Sequence, residues 1–144
     1  MRQAAALVGA LVLAITLAGC GSSAKSRYVS KLNKMCEAFA KKEQVIGTPG
    51  TPGELKSRGD RLVAAYDEEL YRPLLKLKAP PEIASEATQL RDLAQRQRNV
   101  LGALANAGKT GNLRRIQQLV TVNQSLNSQL AQLAQHLNAD SCAS

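Results

Sequence analysis

An all-α fold, a four-helix bundle of up-down-up-down topology, is what this sequence predicts, and three observations carry the prediction. Past the first twenty residues Ala, Leu and Gln dominate and β-branched residues are thin. Straight-chain residues lose little rotamer freedom in a helix, so this balance favours helices over strands. Apolar residues recur at spacings of three and four along four separate stretches. Short Gly- and Pro-bearing runs divide those stretches, and short connections make neighbouring helices antiparallel. The 144 residues suit one domain better than two. A three-helix variant follows if the second helix stops early at Pro73 or the first is frayed.

The chain opens with Met-Arg-Gln and then runs from Ala4 to Ala18 without a charge and almost wholly apolar. That run is shorter than the roughly 20 residues a membrane-spanning helix needs. A basic start, a short apolar core and small residues at its close have the form of a secretory signal. The close itself, Leu17-Ala18-Gly19-Cys20, resembles the lipobox of bacterial lipoproteins at all four positions. The resemblance implies a signal peptide over residues 1–19 that is cut before Cys20. It also implies an acyl chain such as palmitate on the Cys20 sulfur, and usually a further one on the new amine. Two or more chains anchor stably where one holds only marginally. The expected location is the cell membrane, lipid-anchored, on the extracytoplasmic side. Residues 20–25 then form the lipidated cysteine and a tether of under about 20 Å, and residues 26–144 form the helical bundle.

The first helix is expected from Ser26 to about Gln44, with Val29, Leu32, Cys36 and Phe39 on its inner face. Residues 47 to 53, Gly-Thr-Pro-Gly-Thr-Pro-Gly, make a loop whose end is also a helix start. Thr51, Pro52 and Glu54 read as a capping box with proline at the first helical position. The second helix, from about Pro52 to Leu77, turns Leu55, Leu62, Tyr66, Leu70, Leu74 and Leu77 inward, and Pro73 should kink or stop it. Ala79-Pro80-Pro81-Glu82 opens the third. Its face is Ile83, Ala87, Leu90, Ala94, Leu101 and Leu104, and Gly108 is its expected stop. The fourth, about Asn112 to Asn138, carries Leu113, Ile116, Val120, Leu126, Leu130, Leu133 and Leu137. Gln97 and Asn123 interrupt the last two stripes at similar depth. They can form one polar layer; the plainer expectation is that each reaches the boundary and water.

With Cys20 assigned to lipid, Cys36 and Cys142 remain. Disulfides persist outside the cytoplasm, and two thiols there most simply pair with each other. The up-down-up-down topology returns the end of the fourth helix to the level of the first, which brings Cys142 within reach. Two free thiols stay open as an alternative. A redox or metal pair has no Cys-x-x-Cys spacing to support it.

The search for chemistry mostly excludes. Gly108-Lys109-Thr110 lacks the glycine five positions earlier and the preceding strand that a phosphate loop needs. His136 is the only histidine, and Asp140, four residues on, reads as a helix-end partner. Asp67, Glu68 and Glu69 are consecutive, so they fan around a helix as a solvated face. No catalytic residue, cofactor or metal is expected. The net charge is +8, of which Arg2 in the signal segment contributes one. Nucleic acid is an unsuitable partner outside the membrane, and no aromatics interleave with the basic residues for stacking. Arg27, Lys31, Lys34 and Lys41 share one stripe on the first helix, directly after the tether. An anionic surface, of lipid or wall polymer, fits that stripe better, each cation near such a surface adding about 1 kcal/mol.

Tyr28-Val29, Met35-Cys36, the Leu-x-Leu-x-Ala-Pro-Pro run at residues 75 to 81 and the C-terminal cysteine complete a second resemblance, to small helical lipoproteins of actinobacteria. It implies a helical module outside the cytoplasm with a disulfide. No catalytic or binding residue is established for that group, so none is carried over. The expected function is a non-catalytic interaction or scaffold module in the cell envelope with an envelope protein as partner. The alternative is a carrier of a small ligand or lipid, which needs a cavity inside the bundle.

Overall fold

The computed structural model describes residues 23–143, and all their regular structure is helical. The expected signal segment, residues 1–19, and Cys20 lie outside the described residues. Ser23 caps α1 (Ala24–Ile46), its hydroxyl accepting from the Ser26 N–H at 3.0 Å. Gly47 ends the helix at φ +78°, where a side chain would be strained.

α2 (Pro52–Tyr66) begins with the expected capping box. Thr51 Oγ1 accepts from the Glu54 N–H at 3.2 Å, and Glu54 Oε2 accepts from the Thr51 N–H at 3.1 Å. The Gly50 N–H gives Glu54 a further bond, and these donors hold its carboxyl below the usual range.

Pro73 does not stop this rod. α2 runs into a π-helical segment, Asp67–Tyr71, and on into α3 (Arg72–Lys76). A proline has no N–H and its ring crowds the carbonyl four residues back, here Glu69. The wider π turn lies just ahead of it, and the Arg72 N–H bonds the Asp67 carbonyl five residues back. The chain is extended at Leu77 and passes a 3₁₀ turn, Pro81–Ile83, into α4 (Ala84–Thr110). α4 ends on Gly111, left-handed at φ +67°, and not at Gly108. Asn112 then caps α5 (Leu113–Leu137), accepting from the Arg115 N–H at 3.0 Å. Asn138 closes α5 in the left-handed region, and a last 3₁₀ turn covers Asp140–Cys142.

The rods alternate in direction. The α2–α3 rod lies between α1 and α4, and α5 packs on the other side of α4. Where the chain enters the fold, all four rods share one core: Tyr28 and Leu32 from α1, Leu74 and Leu77, Ile83, Ala87 and Leu90, and Ala134 and Leu137 from α5. Midway, Leu62, Tyr66 and Leu101 meet Phe39. The far end, with Leu104, Ala107 and Leu119 against Leu55 and Ile116, draws on α2, α4 and α5 alone. The fold is a four-rod bundle that narrows to three. The expected inner faces of the second and third helices hold throughout. That of the fourth shifts in its first half: Leu119 is buried, while Leu113 and Val120 are exposed. With no α1 residue in that end cluster, α5 turns its apolar face to α4. On α1, Tyr28 is buried, and Val29 beside it packs half-buried against the same core.

Cys36 and Cys142 are joined, 106 residues apart in sequence, with Cα atoms 5.3 Å apart. Ser141 reinforces the joint: its N–H bonds Asn33 Oδ1 at 3.2 Å and its hydroxyl bonds Glu37 Oε1 at 2.9 Å.

Candidate functional site

Several polar residues occupy places that their sequence neighbours do not disclose. The run Asp67-Glu68-Glu69 is not a uniformly solvated face. Asp67 is buried and is held by Arg98 from α4, with Arg98 Nε on one carboxylate oxygen and Nη2 on the other at 3.0 Å. The hydrogen-bonded guanidinium keeps the Asp67 carboxyl below its usual range against the opposing effect of burial. Arg72 stands 3.7 Å from the same carboxylate, and Arg98 lies 5.5 Å from the Tyr71 ring centre. Glu69 faces Lys42 of α1 at 3.5 Å, and Glu68 is exposed. The π turn thus swings one acid inward and leaves its neighbours on the surface. Tyr66 donates to the Ala94 carbonyl at 3.2 Å, and burial pushes its phenol well above the usual range. The buried groups of this network, Tyr66 and Asp67, are met by other protein groups, so it reads as architecture.

Gln97 and Asn123 do form one layer, contrary to the plainer expectation. The buried Gln97 amide gives its protons to Asn123 Oδ1 and Asn127 Oδ1, both at 2.8 Å. Asn127 was missed because it falls one turn beyond the polar gap in the stripe. His136 pairs across the groove with Glu86 at 3.8 Å, and Asp140 instead starts the final 3₁₀ turn. A left-handed Asn138 turns the chain away between them.

Of the clefts among the described residues, two open on the outside of the bundle. The larger, about 480 Å³, runs between α4 and α5 over Glu86, Gln89, Gln129, Gln132 and His136. The smaller, about 240 Å³, lies between the first two turns of α1 and the connector after α3. Its walls are apolar, from Tyr28, Leu77, Ala79 and Pro80, and its rim carries Arg27, Lys31 and Lys78. All three cations are exposed, and neither lysine makes an ion pair with a described residue. Tyr28 is only 2 % exposed, and its hydroxyl has no hydrogen-bond partner among the described residues. Arg91 stands behind the same wall. Its Nη2 donates to the Leu77 carbonyl at 2.6 Å, and its Nε has no partner among the described residues. Burial raises the Tyr28 phenol above its usual range, and the Arg91 charge opposes that rise.

The four cations of the expected stripe are all exposed on α1. The fold divides them: Arg27 and Lys31 join Lys78 at the cleft, while Lys34 and Lys41 lie farther along the helix and do not line it. Lys78 had no signal in the sequence, because it stands 47 positions from Lys31 in a connector and only folding brings the two together. Among the described residues no three His, Cys, Asp or Glu side chains gather as a metal site. No described helix is long and apolar enough to cross a membrane. Comparison of the chain with protein-family models, with curated proteins and with solved structures gives no match.

Proposed function

We propose that this protein is a lipid-anchored module on the extracytoplasmic side of the cell membrane, non-catalytic, that holds another component of the cell envelope. One observation carries the reading: only residues 21 and 22 separate the lipobox cysteine from Ser23, which caps a long helix. At about 3.3 Å per residue, that spacer keeps the start of α1 within roughly 10 Å of the lipid attachment point. A helical rod bolted to its own C-terminal tail by a disulfide suits a rigid binding body. A single histidine and no nucleophile motif favour binding over catalysis. The two clefts lie on the outer surface, and neither sits among the four rods as the carrier alternative requires.

The test is cross-linking of the full chain in cells, followed by purification from solubilised membranes and mass spectrometry. A Cys20→Ser chain with a signal that still exports it is the control. One envelope protein is expected near stoichiometrically with the acylated chain and lost with the control. An unacylated Cys20, or the same recovery from the control, overturns the anchored reading.

A further inference from the structure

We propose that the cleft beside the start of α1 seats the phosphate of an anionic membrane lipid, with Arg27, Lys31 and Lys78 as its charged rim. The inference rests on the anchored reading above and names what the anchored end touches. Three lines lead to it. The rim gathers three cations from two separate segments, and no carboxylate lines the cleft. Elsewhere some basic residues are answered by carboxylates, Lys109 by Asp60 at 2.7 Å, Arg58 by Glu54 at 3.4 Å and Lys42 by Glu69 at 3.5 Å, while others are not, so it is the convergence of three cations on one cleft that sets this rim apart. Lys31 and Lys78 have no such partner among the described residues. A phosphate diester is the compact anion such a rim suits, because ammonium and guanidinium groups donate to its oxygens while cancelling its charge.

The walls select the lipid over a soluble phosphate. Tyr28, Leu77, Ala79 and Pro80 give the cleft an apolar lining that a glycerol backbone and the first acyl carbons can cover. Tyr28 lines the inner wall, and its hydroxyl has no hydrogen-bond partner among the described residues, an arrangement that costs stability in an isolated core. The cleft also stands at the end of the domain that follows the tether, where lipid is nearest.

The experiment uses the full acylated chain, purified from membranes in a neutral detergent and examined by native mass spectrometry. The probes are phosphatidylglycerol, phosphatidylcholine, glycerol phosphate and inorganic phosphate. One phosphatidylglycerol per chain is expected to be retained in preference to the other three. Lys31→Gln with Lys78→Gln is expected to weaken that retention about thirty-fold, at about 1 kcal/mol for each charge removed. Lys41→Gln with Lys56→Gln removes the same charge away from the cleft and is expected to leave retention unchanged. All four positions are exposed, so the folded state is kept. Equal loss in both variants, equal retention of phosphatidylcholine, or binding of the free phosphates in place of lipid overturns the proposal. The mass of the chain itself reports acylation at Cys20 in the same spectrum, so failure of the anchor and failure of the cleft are told apart.

Discussion

At the scale of single residues, Asp67 carries a pH-dependent part of the fold's stability. It is a buried charge whose partner comes from another helix, so its removal leaves Arg98 without its main acceptor. Asp67→Asn is expected to lower stability by about 1–2 kcal/mol at neutral pH, because the charge-assisted pair is lost while Arg98 still reaches water. The pH dependence has a definite sign. A carboxyl depressed in the folded state contributes its full stability above the ordinary aspartate range. That contribution is lost as pH falls below the range and through the folded value. Urea titrations from pH 7 down to pH 2 should show the acid-side loss in the wild-type chain and a shallower loss in the variant. The sequence offered three adjacent acids and no means to tell them apart; the π turn made the distinction. Gln97 teaches the same lesson. Its place in the third stripe was legible, but its burial and its second acceptor, Asn127, were not, because a polar residue one turn past a stripe looks like any solvated position.

At the scale of elements, local chemistry and packing divide the work. The capping box at Thr51, Pro52 and Glu54 was readable letter by letter because its bonds close within four residues. Gly108 was not. It looks like a stop signal, yet it lies inside α4, where a Cβ would come within 3.0 Å of the Leu55 and Lys56 backbone. Gly59 faces Ala105 in the same interface, and a Cβ there would lie 2.9 Å from the Ala105 Cβ. These two glycines let α2 and α4 approach closely. Alanine normally strengthens a helix by about 1 kcal/mol over glycine. Gly108→Ala is nevertheless expected to destabilise by about 1–3 kcal/mol, because it meets backbone that cannot step aside. Thermal unfolding of Gly108→Ala beside Gly102→Ala, where a Cβ would meet nothing, is the check. The two should move in opposite directions. Pro73 is a second case of a local signal overruled: where a kink or a stop was expected, a π turn carries the rod on, because the core on both sides of it holds the rod together.

At the scale of the whole molecule, the disulfide and the narrowing of the bundle set the balance. Cys36–Cys142 closes nearly the entire domain into one loop, worth about 4–5 kcal/mol in the chain-entropy model. Cys36→Ser with Cys142→Ser is expected to lose most of that in chemical unfolding, and reductant should bring the wild-type chain to the same midpoint. An unchanged midpoint would show that Ser141 and the shared core already hold the tail to α1. The all-α class, the four rods, the cap at Thr51 and the pairing of Cys36 with Cys142 followed from the sequence by itself, since periodicity, short-range capping and a count of cysteines act within a few residues or by elimination. Only the tertiary structure decided that α1 covers part of the bundle, that Asp67 turns inward, that Gln97 reaches two asparagines and that Lys78 stands beside Arg27 and Lys31. The reason is physical: each of those depends on which face of one rod meets another, and a side chain's partner across a helix interface leaves no mark in the spacing along its own helix.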